Sequence, residues 1–305
     1  MSHVIGIDLG GSKIVLGLIG PQDEILARRR IDTRADAGLD SVVERIAVEV
    51  DALQATLPPA ATIAAVGVGA PGPLDHIRGE LLTLVNLPEI SNTPFRRALS
   101  ERLSLPVALD HDAKTAALGE FHFGAGQARN SMIYIVIGTG VGAAIIYQGA
   151  LLYGESNSAG ESGHMTVDPR GRRCHCGSRG CLEVYASGPA LSRQYEAATG
   201  VAITGGEIAA RARAGDASAR RVFHDAGRAL GIAIATLAMT LNIETFVIGG
   251  SVAKAGDLLL GPARESLQGY SFRAVSARLR VVASELGEDA PILGAAALAR
   301  ALLRM

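Results

Sequence analysis

The chain has 305 residues, 29 Lys and Arg against 30 Asp and Glu, a net charge of −1 and 48% hydrophobic residues. That length suits about two domains, and balanced charge without a basic stripe argues against nucleic acid as a partner. The chain enters an apolar strand at once, with no basic flank and apolar signal core. Its most apolar helical stretch, 230–241, is expected to be too short for a bilayer, so the reading is a soluble, cytoplasmic protein with no membrane partner.

Val4 to Ile14 reads as a strand, a polar glycine turn and the start of a returning strand. Asp8 sits at the strand end, followed by Gly10, Gly11, Ser12 and Lys13. Paired glycines let backbone N–H groups approach an anion closely, Ser12 and Lys13 add donors, and Asp8 is placed to hold a metal-bound water. An ordinary hairpin with a polar turn is the plainer alternative. A third strand is expected over 25–32. Apolar residues at Val42, Val43, Ile46, Val50 and Leu53 predict a helix over 40–57, stopped by Pro58 and Pro59. A strand over 63–69 runs into Gly67 to Gly72, which formally matches the dinucleotide fingerprint. Pro71, Pro73 and Asp75 predict a loop there, where the fingerprint requires a helix.

A helix is expected over 95–103, a strand over 107–109 and a helix over 113–123, followed by a linker to residue 130. Asp110-His111-Asp112-Ala113 falls where strand gives way to helix. A carboxylate there lies where open α/β folds bind ligands, and the helix N-terminus favours its ionised form. Such a group can accept a hydroxyl proton; on local sequence alone, helix capping is the simpler role. Met132 to Tyr147 repeats the opening grammar, with Gly138, Thr139, Gly140 and Gly142 in and beside the turn. Two such hairpins suggest a duplicated, two-lobed protein with a nucleotide held between the lobes.

The stretch 153–181 is polar, glycine-rich and aperiodic, and a loop of that length is usually functional. It holds all three cysteines, Cys174, Cys176 and Cys181, a poor disulfide framework and a good metal signal. A structural zinc needs four N or S ligands. His175 is nearest, but both its neighbours would already bind; His164, further upstream, can fold back. Glu161 and Glu183 flank this loop, and paired carboxylates suit the hydroxyls of a polyol. Helices are expected over 189–199, 206–214, 217–241, 257–267 and 290–303. Strands are expected over 245–248, leading into Gly249 and Gly250, and over 280–283. There is no Gly-Lys-Ser/Thr, His-Glu-x-x-His or Gly-x-Ser-x-Gly, so P-loop, zincin and hydrolase-elbow readings lack support.

Together these pieces resemble the ROK family of bacterial sugar kinases and sugar-responsive repressors over nearly the whole chain. The resemblance rests on Ile7 to Lys13, Gly67 to Gly72, Asp112-Ala113 through Glu120, Gly138 to Gly142, Gly160 to His164, Cys174 to Glu183 and Ile248 to Gly250. It implies an α/β, actin-like ATPase (ribonuclease H-like) fold with two lobes and an inter-lobe cleft for ATP and Mg²⁺. The lobes are expected at 1–113 and 114–289, with the helix in 290–305 packing back on the first. It implies that Asp112 is the catalytic base. It places Asn86, His111, Asp112, Glu161, His164 and Glu183 on the sugar, with Gly249 and Gly250 near the adenosine. It favours His164 as fourth ligand of a structural Zn²⁺ with Cys174, Cys176 and Cys181. Homodimers or higher homo-oligomers are common in the family.

Two departures stand out: His111 replaces the usual Asn, and Asn86-Leu87-Pro88-Glu89-Ile90-Ser91-Asn92 lacks the usual Trp. The implied activity is an ATP-dependent hexokinase, a glucokinase acting on the 6-hydroxyl. Kinases of N-acetylglucosamine, N-acetylmannosamine or fructose are alternatives, and a non-catalytic sugar sensor is a further one. The repressors carry a DNA-binding domain before the first phosphate hairpin; this chain reaches that hairpin at Val4, so a repressor is not expected.

Overall fold

The computed structural model describes residues 2–84 and 87–304. The chain divides into two compact units: Met1–Gln127, Gly154–Asn157 and Glu288–Met305, and Ala128–Tyr153 with Ser158–Gly287. This differs from the expected junction at residues 113 and 114. The helix that follows Asp112 stays with the first unit, for a reason given by its packing below.

The first unit is built on a five-stranded sheet of β1 (His3–Leu9), β2 (Lys13–Ile19), β3 (Ile25–Asp32), β4 (Ile63–Ala70) and β5 (Val107–His111). The strand order is β3-β2-β1-β4-β5. β1 is central: antiparallel to β2, with Asp8 opposite Val15, and parallel to β4, with Asp8 beside Gly69. Val4, Ile5, Ile7 and Leu9 are all fully buried, as expected of a strand covered on both faces. β3 is the edge; it carries Arg28, Arg29 and Arg30 and alternates in burial, which discourages further pairing. Helices α1 (Gly38–Gln54) and α2 (Phe95–Leu103) cover one face through Val42, Ile46, Val50, Phe95 and Leu99.

The C-terminal helix (Ala290–Leu302) and α3 (Asp112–Phe123) pack together, and the C-terminal helix lies on β1 and β4. The approach is backbone on backbone. A Cβ at Gly6 would overlap the carbonyl oxygen of Ile292, one at Gly67 that of Ala295, and one at Gly294 that of Thr115. The buried Arg300 locks the helix end, donating to the carbonyls of Ser2 (2.9 Å) and Gly20 (2.5 Å). These contacts hold α3 in the first unit.

The second unit repeats the plan. β6 (Met132–Ile137), β7 (Val141–Tyr147) and β8 (Ala150–Leu151) form an antiparallel meander, and β9 (Thr245–Gly249) and β10 (Arg280–Ala283) continue it in parallel. The order is β8-β7-β6-β9-β10, the same hairpin-then-parallel arrangement. Helices α4 (Glu183–Ala186), α5 (Gly188–Thr199), α6 (Gly205–Arg213), α7 (Ala217–Leu241) and α8 (Asp257–Tyr270) complete it. By length and composition α7 could cross a membrane; the stretch 230–241, read from sequence as too short, is only its second half. Val222, Phe223, Leu230, Ile234 and Ala238 are buried in the core of this unit, which identifies α7 as a core helix.

Close helix packing predicts a sharp contrast between glycines. Gly294→Ala must displace Thr115 or the helix and should cost roughly 1–3 kcal/mol, as overpacking does. Gly261→Ala in α8, where an added Cβ meets nothing within 4 Å, should be neutral or stabilise by roughly 0.5–1 kcal/mol. Thermal denaturation of the two variants checks this; equal melting temperatures would contradict the packing argument.

Candidate active site

In the first unit, the parallel strands bring their carboxyl ends together. Asp8 of β1 is beside Gly69 of β4, and Gly69 is beside Asp110 of β5. The turn between β1 and β2 closes with the Gly10 N–H donating to the Lys13 carbonyl (2.9 Å). Thr33, fully buried, braces it: its hydroxyl donates to the Gly10 carbonyl (2.7 Å) and its N–H to the Ser12 carbonyl (3.0 Å). Gly11 and Ser12 remain exposed, so the tip of the turn is accessible to an anion. Nothing in the local sequence marks Thr33 as part of this site.

Asp112 is the first residue of α3 and His111 is the cap. Both reach the Ala113 N–H: His111 Nδ1 at 3.2 Å and Asp112 Oδ1 at 2.6 Å. His111 Nδ1 is also 2.9 Å from Asp112 Oδ1. Nδ1 accepts in one tautomer and donates in the other; donating, it joins the Ala113 N–H on the same carboxylate oxygen. Both contacts fall on Oδ1. Asp112 is 45% exposed at its side chain. The capping and catalytic readings are therefore not exclusive, and the two neighbours are coupled rather than independent. A Cβ at Gly72 would lie 2.5 Å from the His111 ring, so the loop after β4 must be glycine there. That stretch continues into a short antiparallel pair, Leu74–Asp75 with Glu80–Leu81, where a loop is expected from sequence, and without the helix a dinucleotide fingerprint needs.

Burial, and then the Asp112 carboxylate, push Asp8 up to about 6, against the opposing pull of Lys13. Two carboxylates gathered at one end of the sheet repel, which suits the approach of a divalent cation. Asn86 lies outside the described residues.

In the second unit, the turn between β6 and β7 holds Gly138, Thr139 and Gly140, and Gly142 opposes Val136 within the hairpin. The Gly138 N–H donates to the Gly140 carbonyl (2.9 Å), and the Gly138 carbonyl accepts from Gly188 (2.8 Å). Gly249 packs on the Tyr134 ring, and Gly250, at φ +89°, lies against the backbone of Ile137, a conformation that favours glycine. Ser251 Oγ is within 3.7 Å of where a Gly138 Cβ would be. A cavity of about 370 Å³ opens beside these groups, lined by Gly188, Thr204, Gly205, Ser251 and Lys254 among others. Beside it, Gly138, Gly249 and Gly250 carry a sequence signal; the named lining residues converge from three separate segments.

Glu183 joins this turn to the long loop. It is 14% exposed, and its Oε2 accepts from the Val141 N–H at 2.9 Å. A Cβ on Gly140 would come within 2.6 Å of that oxygen. Gly140 therefore makes room for the carboxylate. The Gly160-Glu161-Ser162-Gly163-His164 segment lies on β7: a Cβ at Gly160 would meet the Ala143 carbonyl at 2.6 Å, and one at Gly163 would overlap the Val141 carbonyl. Glu161 is exposed.

The ligand atoms of His164, Cys174, Cys176 and Cys181 all lie within 4.8 Å of one another. Cys174 Sγ is 3.6 Å from His164 Nδ1, and Cys176 Sγ is 3.6 Å from Cys181 Sγ. Tetrahedral zinc, with its usual bond lengths, requires about 3.6 Å between N and S and about 3.8 Å between two S, so the donor set fits. Burial first, then the neighbouring thiols, push Cys181 up to about 12, a cost to the thiolate that a bound cation would relieve. His175, 75% exposed, lies 3.9 Å from Cys174 Sγ and 3.4 Å from Glu183 through Nδ1, and makes a second grouping with His164 and Glu183.

The Asp8 environment sets a pH dependence. The folded state holds this proton more tightly than the unfolded chain, whose value is near 3.8. Stability therefore falls as pH rises from about 4 to about 6 and stays reduced above. The loss is on the order of 2–3 kcal/mol, from a rise of 3.8 to about 6. Asp8→Asn should remove it: without nucleotide or divalent cation, the variant should melt higher than the wild type at pH 7.5 and match it near pH 3.5. Parallel pH profiles would show that Asp8 carries no such strain.

Comparison with known proteins follows the same lines. Residues 4–302 match the ROK family. The glucokinase of Thermotoga maritima is 34% identical over 97% of this chain and 96% of its own. The ROK hexokinase of Thermus thermophilus superposes with a TM-score of 0.86 at 34% identity, covering 99% of each chain. A ROK family glucokinase from Streptomyces griseus, solved with glucose and AMPPNP, gives 0.81 at 34% identity over 98% of this chain and 100% of its own. With these proteins the chain shares the actin-like ATPase fold of two α/β lobes. A duplicated hairpin sheet, glycine turns in both units, Asp112 at the head of α3 and a His-Cys₃ cluster thus find a common explanation: the chain belongs to the ROK family.

Proposed function

We propose that this protein is an ATP-dependent hexokinase, a glucokinase that transfers the γ-phosphoryl group of ATP to the 6-hydroxyl of D-glucose. The observation that carries the reading is Asp112, held at the head of α3 by the Ala113 N–H and His111 on one oxygen, in a chain 34% identical to a glucokinase over nearly its full length. In the reaction the glucose O6–phosphorus bond forms as the bond from the γ-phosphorus to the bridging oxygen breaks. ADP leaves with the electron pair, and the hydroxyl proton passes to Asp112 Oδ2. Positioning and charge stabilisation supply most of the catalysis in such transfers.

In this reading Gly10, Gly11, Ser12 and Lys13 contact phosphates, as do Gly138, Thr139, Gly140 and Gly142. Gly249 and Gly250 border the adenosine, for which the neighbouring cavity has room. Glu161, His164 and Glu183 bind sugar hydroxyls, with His111 and Asp112. Mg²⁺ fits the Asp8–Asp112 end of the sheet and, when bound, neutralises charge on the transferring phosphoryl group. Zn²⁺ fits His164, Cys174, Cys176 and Cys181, and there it braces the loop that carries the sugar ligands. A cytoplasmic location accords with the use of ATP, and a homodimer is the assembly we propose, to be read by sedimentation.

Asp112→Asn keeps shape but cannot take the proton as a carboxylate does. It should lower kcat by ~10²–10⁴-fold with little change in glucose KM. His111→Ala removes a contact to the Asp112 carboxylate and should reduce kcat as well as raise KM, whereas His111→Asn should keep activity. A coupled ADP-release assay across glucose, mannose, fructose, N-acetylglucosamine and N-acetylmannosamine measures both. Near-normal kcat in Asp112→Asn with every sugar would overturn the assignment.

Metal content is a separate check. Protein purified without chelator should hold about one zinc per chain, and Cys176→Ser should lose it. The variant should raise glucose KM more than ATP KM, because Glu183 and His164 lie in or beside the braced loop. Elemental analysis finding no zinc in the wild type would defeat this part.

A further inference from the structure

Away from these residues the second unit holds a cavity of about 450 Å³, lined among others by Asp168, Arg172, Tyr185, Arg221, Arg228 and Tyr270. One wall comes from the long loop and α4, the other from α7 and the end of α8. Each wall carries an arginine over a tyrosine ring: Arg172 lies 5.8 Å from the Tyr185 centroid and Arg228 5.8 Å from that of Tyr270. Arg228 also donates to the Tyr270 hydroxyl at 2.6 Å.

The carboxylates of the cavity are already engaged. Asp168 accepts from the Tyr185 hydroxyl (3.0 Å) and from the Arg170 N–H (3.1 Å). Asp225 lies 3.4 Å from Arg221 and 3.3 Å from His224. Among the described residues no carboxylate pairs with Arg172 or Arg228. Arg228 gives one N–H to Tyr270, and a guanidinium has five N–H donors in a fork that can grip a phosphate with two parallel hydrogen bonds. Two guanidinium groups without a carboxylate partner lining one cavity suit a doubly charged phosphate ester, and the volume is within the range of small-molecule sites.

The position matters as much as the chemistry. Asp168 and Arg172 lie between His164 and Cys174 in the chain, and Tyr185 shares α4 with Glu183. A ligand bridging the two walls therefore grips the segment that carries the proposed zinc and sugar ligands. We propose that this cavity binds a phosphomonoester of the sugar phosphate class as an effector that alters sugar affinity. The effect on sugar affinity rests on the functional reading above; the binding does not.

The test is calorimetry on the full-length, zinc-replete protein with glucose and a non-hydrolysable ATP analogue both saturating. Inorganic phosphate and glucose 6-phosphate are titrated separately, against wild type and an Arg172→Gln/Arg228→Gln variant. Both arginines are exposed, so the fold should survive, and circular dichroism confirms it. The expected result is saturable binding, tighter for glucose 6-phosphate, and weakened about ten-fold or more in the variant, since two charge-assisted contacts are removed. Glucose KM should shift with glucose 6-phosphate in wild type and not in the variant. No saturable binding, or equal affinity in the variant, overturns the site. Equal affinity for the two anions overturns the sugar phosphate class, and an unmoved glucose KM overturns the effector role.

Discussion

The first unit depends on one constraint: the C-terminal helix must touch the sheet and α3 without side chains between them. Gly6, Gly67, Gly119 and Gly294 stand at the four contacts, and each faces a backbone atom of another element. Protein interiors are close-packed and tolerate added volume poorly, so this seating leaves α3 little freedom. Asp112 is the first residue of that helix. The direction of the proposed base is thus decided by the last segment of the chain. The second unit uses the same device, with Gly227 and Gly231 of α7 lying against the backbone of α8.

The two units share a sheet plan but differ in chemistry. The first gathers negative charge: Asp8, Asp110 and Asp112 at the ends of parallel strands or the helix that follows. Burial and mutual repulsion raise Asp8, a cost that a bound cation would relieve. The second gathers backbone donors and a thiol cluster. There the glycine turn and the long loop are one structure, because Glu183 bonds to Val141 immediately beyond the turn and fills the space left by Gly140. The glycines at 160 and 163 allow the loop to lie on β7, and a zinc ion would tie its far end. Disturbance of either element reaches the other.

Much of this was legible in the chain itself. Helix 95–103, helix 217–241 and strand 280–283 are expected from the sequence, and the structure has the same limits. Both glycine turns, the aperiodic loop and the cysteine cluster are local patterns, set by residues a few positions apart. The preference for His164 over His175 rests in part on the family resemblance, and the ligand atoms of His164 and the three cysteines lie within 4.8 Å of one another.

What the sequence by itself determined, then, are the elements, the duplicated hairpins and the donors proposed for phosphate, metal and sugar. Tertiary structure alone decided how they meet. It assigned α3 to the first unit rather than the second, because Gly119 and Gly294 fit only against each other's helix. It joined His111 to Asp112, placed Thr33 beneath the first turn, set Glu183 against Gly140 and opened the cavity beside Gly138. Periodicity and spacing report on neighbours within a turn or two of the chain. These contacts join separate elements, or fix side-chain directions within one, and only packing to close density selects them.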